Sequence, residues 1–231
     1  MNSLGFVGIF LAQAILPNME WADEDQWQRL IEWLRELRKF RVFATIALPY
    51  ILIKRPGEAA TVTKAIAEDL NSDIEGSAVA AAAKALREWI HLAASGWAPA
   101  PSPSLMTALI ERVIFRRKVG IVSCLEQITS LIVEKPEAFN ASEIELLLAS
   151  LMPWHHATML PMPDEQTGDF HEAERPELRV LIGGLAGALD VWSKKSAPLT
   201  PVPYNVTFWR NLCADDPLPE IRRAINAYNH A

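Results

Sequence analysis

The chain has 231 residues, half of them hydrophobic, with eight Trp, which excludes a disordered or mainly linker-like protein and permits one domain or two. Twenty-two basic against 28 acidic residues give a net charge of −6. That balance opposes a dedicated nucleic-acid or anionic-membrane binder, whose phosphate contacts need a basic face.

The first apolar run, Leu4 to Leu16, carries Ala12-Gln13-Ala14, a mimic of a cleavage site, but no Lys or Arg precedes Arg29. A secretory signal needs a basic start and a bilayer span needs about 20 apolar residues, so a buried first helix is expected. An abrupt apolar start also fits a segment of a longer protein. Asp23-Glu24-Asp25 then opens a helix with the stripe Trp27, Leu30, Ile31, Leu34, Leu37, one face at spacings of three and four. Apolar residues continue from Phe40 to Ile53, with a kink or break predicted at Pro49.

Pro56 suits the first turn of the next helix, which ends near Asn71-Ser72-Asp73. A helix from Glu75 to Ala94 follows, rich in alanine so that a neighbour can approach closely, with Gly96 as its stop. Residues 98–104 form the clearest linker of the first half, and Ser102 caps a helix with Pro103 in first position. From Leu105 to Val133 the pattern is helical, divided by Arg116-Arg117-Lys118 and Gly120. Ser142 and Glu145 have the spacing of a capping box before Leu146-Leu147-Leu148. A long irregular loop is expected over 153–174. Beyond it lie the stripe Leu178, Leu181, Ile182, Leu185, Leu189, Trp192, a Pro-rich stretch over 197–203, and two last helices, about 204–214 and 218–228.

Pro176-Glu177-Leu178-Arg179 recurs 43 residues later as Pro219-Glu220-Ile221-Arg222. Recurrence at that distance in a chain read as helix throughout points to stacked helix pairs, an α-solenoid. Asp216-Pro217-Leu218-Pro219-Glu220-Ile221-Arg222-Arg223-Ala224 resembles the turn and second helix of a HEAT repeat. Pro176 to Arg179, running on to Leu189, resembles the same helix, and Asp73-Ile74-Glu75 with Val79 to Leu86 is a weaker echo in which Ala80 replaces the Arg. The resemblance implies an all-α, right-handed solenoid of antiparallel helix pairs, HEAT/ARM-like, with nine or ten helices. It is read as a single domain, 1–231, with possible sub-units 1–96 and 102–231. It also implies that Arg179 and Arg222 tie adjacent repeats together.

The chemistry-bearing residues are few. His155, His156 and His171, with Asp164, Asp169 and Glu172, form the one cluster of metal-ligand type, yet their spacing matches no closed zinc motif. With Trp154 beside the histidine pair, a protein-contact patch of Trp154, His155, His156 and His171 is the stronger reading. Gly183, Gly184 and Gly187 follow no strand and serve close helix packing, not a nucleotide. Cys124 and Cys213 are expected to be buried free thiols in a reducing cytoplasm.

Arg35-Arg38-Lys39-Arg41 and Arg112-Arg116-Arg117-Lys118 interleave with Trp and Phe, with Arg116 and Arg117 as candidate contacts. HEAT-like folds of about this length also serve alkylpurine DNA glycosylases, which the chain resembles in length and helical content. On that alternative an acid such as Asp190 beside Trp192 would act at the groove. The primary expectation is a non-enzymatic, cytoplasmic, protein-binding scaffold without cofactor or metal, its partner another protein and neither nucleic acid nor membrane.

Overall fold

The computed structural model describes residues 13–38, 43–115, 119–159, 176–196 and 204–227. They contain no strand, and ten α-helices have both ends among them. These are α1 (Glu24–Leu37), α2 (Phe43–Ile51), α3 (Ala59–Leu70), α4 (Gly76–Ala94), α5 (Pro103–Ile114), α6 (Ile121–Glu134), α7 (Ala141–Met159), α8 (Pro176–Ser196), α9 (Tyr204–Ala214) and α10 (Pro219–Asn226). Two compact units result, Met1–Leu109 and Ile110–Ala231, and the division falls within α5. No described helix is long and apolar enough to cross a membrane.

In the first unit, Asp23 caps α1 through a capping box with Gln26, and Trp27, Ile31 and Leu34 turn inward. Ala44 to Ile51 are all buried, because α2 is apolar on every face and so must be enclosed. It packs against α1, α3 and α4. Pro49 is accommodated inside α2, two residues before its end. Ala81, Ala82, Ala83 and Ala85 give α4 a surface of small side chains, and Trp89 Nε1 donates to the Pro99 carbonyl at 2.7 Å. The polar exceptions are paired. Arg38 bridges Glu68 and Asp69, and Thr45 Oγ1 donates to Asp69 at 2.8 Å. Burial nevertheless raises the Asp69 carboxyl above its ordinary range, with Thr45 and Arg38 opposing the shift. The weaker repeat echo departs from its pattern at Ile74, which is 96% exposed and fills no core.

In the second unit α8 packs against α6, α7, α9 and α10, while α9 also packs on α7 and α10. Leu178, Ile182, Leu185, Leu189 and Trp192 of α8 are buried, as its stripe predicts, whereas Leu181, a sixth member of that stripe, is only half-buried. Gly120, at φ 72°, sits in the left-handed region and starts α6, so the division predicted around residues 116–120 is found. Two expectations need correction. The capping box of α7 is Asn140 with Glu143, at 2.8 and 3.0 Å, not Ser142 with Glu145. Both pairs fit the pattern, but Phe139 is extended just after the turn Pro136–Ala138, so the helix begins two residues earlier. The irregular loop also starts later than 153, since α7 continues through Pro153 to Met159. Proline forfeits one hydrogen bond and crowds the carbonyl four residues back, here on Ala149. The first apolar run before residue 13 and the stretch 160–175 lie outside the described residues.

Candidate binding groove

Helix α8 is the element on which the second unit's chemistry turns, and its three glycines face different surroundings. A Cβ on Gly183 would lie 3.1 Å from Ile221 Cγ2, and one on Gly187 would overlap the Ile225 carbonyl oxygen and sit 3.0 Å from its carbon. Both glycines therefore serve the close approach of α10, as predicted. Gly184 does not: an added Cβ there meets nothing within 4 Å.

The space over Gly184 is a groove of about 420 Å³, open to solvent and shared by three helices. Helix α6 contributes Glu126, Gln127, Thr129 and Ser130, α8 contributes Val180, Leu181 and Gly184, and α10 contributes Ala224 and Ala227. The volume lies toward the lower end of ligand clefts, roughly 300–1,000 Å³. Its walls differ in kind. Every polar side chain comes from α6, whereas α8 and α10 present small or aliphatic groups. Thr129 Oγ1 is engaged with the Leu125 carbonyl at 2.7 Å. Glu126 is exposed, is the one ionisable group of the lining, and joins no ion pair among the described residues.

Beside the groove, Arg179 of the first tetrapeptide reaches the second copy as expected, whereas Arg222 departs from the expectation and holds only the turn into its own helix. Arg179 Nε and Nη2 donate to Asp216 Oδ2 at 3.1 and 2.6 Å, and Asp216 is only 4% exposed. Its other oxygen accepts from the Leu218 amide at 2.9 Å, setting the turn into α10. Arg222 Nη1 donates to the Asp216 carbonyl and, at 2.8 Å, to that of Pro217. The two arginines are thus structural. Cys213 and Cys124 are free and buried, and the Cys213 thiol is pushed up to about 11 by burial and by nearby Asp216. A thiol shifted that way is a poor nucleophile.

Of the residues singled out in the sequence, Trp154, His155 and His156 lie on the last turns of α7, in helix instead of loop. His171, Asp164, Asp169, Glu172, Arg116, Arg117, Lys118, Lys39 and Arg41 lie outside the described residues. Among the described residues, no three His, Cys, Asp or Glu side chains converge as a metal set. Arg38 is spent on Glu68 and Asp69, and Arg112 is buried with Nη2 donating to the Val119 carbonyl at 2.7 Å. These two basic residues therefore offer nothing to a phosphate backbone. Asp190 holds Lys194 at 2.6 Å and Arg210 at 3.7 Å, while Trp192 is buried with Nε1 donating to the Pro136 carbonyl at 3.1 Å. No family model, curated protein or solved structure matches this chain.

Proposed function

We propose that the chain is a non-enzymatic, protein-binding helical-repeat module, an adaptor or the recognition region of a larger assembly, and that the groove over Gly184 is its binding surface. The carrying observation is that a solvent-open groove crosses three helices that are alternate in sequence and has in its lining a glycine with open space beside it. Grooves built that way from successive repeats are how solenoids grip other proteins.

Two features support the repeat reading of residues 110–231 as a right-handed HEAT-like solenoid. The principal packing partners of α8 are its neighbours and next-but-one neighbours in sequence, the contact pattern of stacked helix pairs. Arg179 of one copy reaches Asp216 at the entrance to the next. The buried free thiols support a reducing compartment such as the cytoplasm.

The test compares wild type with Gly184→Leu, which fills the groove from its floor without meeting a neighbour at Cβ. Each protein, immobilised, is exposed to lysate of its source cells and the retained proteins are quantified by mass spectrometry. At least one partner is expected on the wild type and lost, ten-fold or more, on the variant. Identical retained sets on both would place binding elsewhere.

A further inference from the structure

Resting on the groove reading, we infer that the occupant is an amphipathic helix of a partner protein, with a Gly, Ala or Ser laid against Gly184 and a Lys or Arg directed to Glu126. Three observations carry this. The first is Gly184 itself. Glycine inside a helix is less stable than alanine by about 0.5–1 kcal/mol, and a residue that packing does not require invites another explanation. Gly183 and Gly187 are explained by α10, and Gly184 is not. A glycine at the floor of a groove lets another backbone come close, as α10 already does one face over.

The second is the asymmetry of the walls. Val180, Leu181, Ala224 and Ala227 offer apolar surface along one side, and Glu126 and Ser130 offer polar groups along the other. An occupant that buries its apolar face and keeps its polar face paired must itself be two-sided. Glu126 fixes the sign of the charge, because an exposed carboxylate without an ionic partner among the described residues attracts a cation and repels an acid.

The third concerns the occupant's backbone. One mode of peptide binding, the addition of a strand to an open sheet edge, has no counterpart here, because the described residues contain no strand. The walls are helices whose main-chain groups are spent internally. An occupant that brings its own satisfied hydrogen bonds, a helix, loses nothing on entering such a groove.

A displayed library of amphipathic helical peptides, randomised at every position of the apolar face and its flanks, supplies the probe. Selection on the full chain is expected to enrich a small residue with Lys or Arg three or four positions away. Selected peptides should lose at least ten-fold in affinity on Gly184→Leu. On Glu126→Gln the loss should be about three- to five-fold at low salt and smaller at high salt, as expected for one solvent-exposed ion pair. Circular dichroism and thermal unfolding establish that both variants are folded. Peptides blocked by Gly184→Leu yet lacking a basic residue, or indifferent to Glu126→Gln, would overturn the stated occupant and leave the groove reading standing. Peptides indifferent to Gly184→Leu would overturn both. A library yielding no binder would overturn the occupant, and the lysate comparison would still judge the groove.

Discussion

Helices α4 and α8, one in each unit, are built on opposite principles. Each is long, packs against several neighbours, and carries a run of small residues. In α4 the small residues are alanines, and Ala82, Ala83 and Ala85 have no exposed surface at all. Each methyl both keeps helix propensity and fills the space beside it. In α8 they include glycines, which bring α10 closer than a methyl allows at 187, leave only a tight fit for one at 183, and leave open space at 184. Alanine seals a helix interface. Glycine can tighten one face and open the next, and the open face is where a partner has room.

The largest effect expected from breaking this comparison lies at the tie holding α8 to the turn before α10. Asp216→Ala would leave Arg179, 11% exposed at its side chain, without its counter-charge. Losing one partner of a buried pair costs about 3–5 kcal/mol, which urea unfolding would register as a lower midpoint. Next is pH. The folded Cys213 thiol is raised to about 11 from 9.0, so the folded state holds its proton more tightly than the unfolded chain. That contribution is complete below pH 9 and is lost as pH rises through about 11. It amounts to something on the order of 2–3 kcal/mol. Tyr50, raised to about 12 by burial and by its hydrogen bond to Glu88, acts in the same direction in the other unit. Stability followed from pH 8 to 11 should therefore fall, and Cys213→Ala should flatten the decline; an unchanged slope would remove the assignment. Gly187→Ala, forced against the Ile225 carbonyl, is expected to cost about 1–3 kcal/mol by overpacking.

Much of this was legible in the sequence. Periodicity and punctuation located the helices to within a few residues, because caps and stops at Asp23, Gly96, Pro103 and Gly120 are local chemistry. The repeated tetrapeptide marks Arg179 as a tie to the next copy, but it marks Arg222 equally, and Arg222 holds only its own turn. The groove was not legible, since its lining comes from residues 126–130, 180–184 and 224–227, and each segment alone reads as an ordinary helix face. One signal was available. At about 100° per residue, Gly183 and Gly187 lie within about 40° of each other around the helix, while Gly184 lies about 100° from Gly183. Gly184 lies about 60° beyond Gly187, at the edge of the face that meets α10, so the angles single it out without assigning it another neighbour. Sequence reasoning looked instead to the histidines near 155 and the arginines near 116. Residue type drew it there, and residue type says nothing of where a space opens. The misplaced capping box has a similar origin: Asn140 and Ser142 each stand three residues before a Glu, and the extended backbone at Phe139 decides between them.

The division of labour among the α8 glycines is tested most directly by equilibrium urea unfolding of Gly184→Ala beside Gly187→Ala. With nothing within 4 Å of the new methyl, Gly184→Ala is predicted to gain about 0.5–1 kcal/mol from helix propensity while Gly187→Ala loses stability. Opposite signs would mark Gly184 as a glycine kept for something other than the fold. Loss of stability in both variants would make it one more packing glycine and remove the ground on which the groove is read as a binding surface.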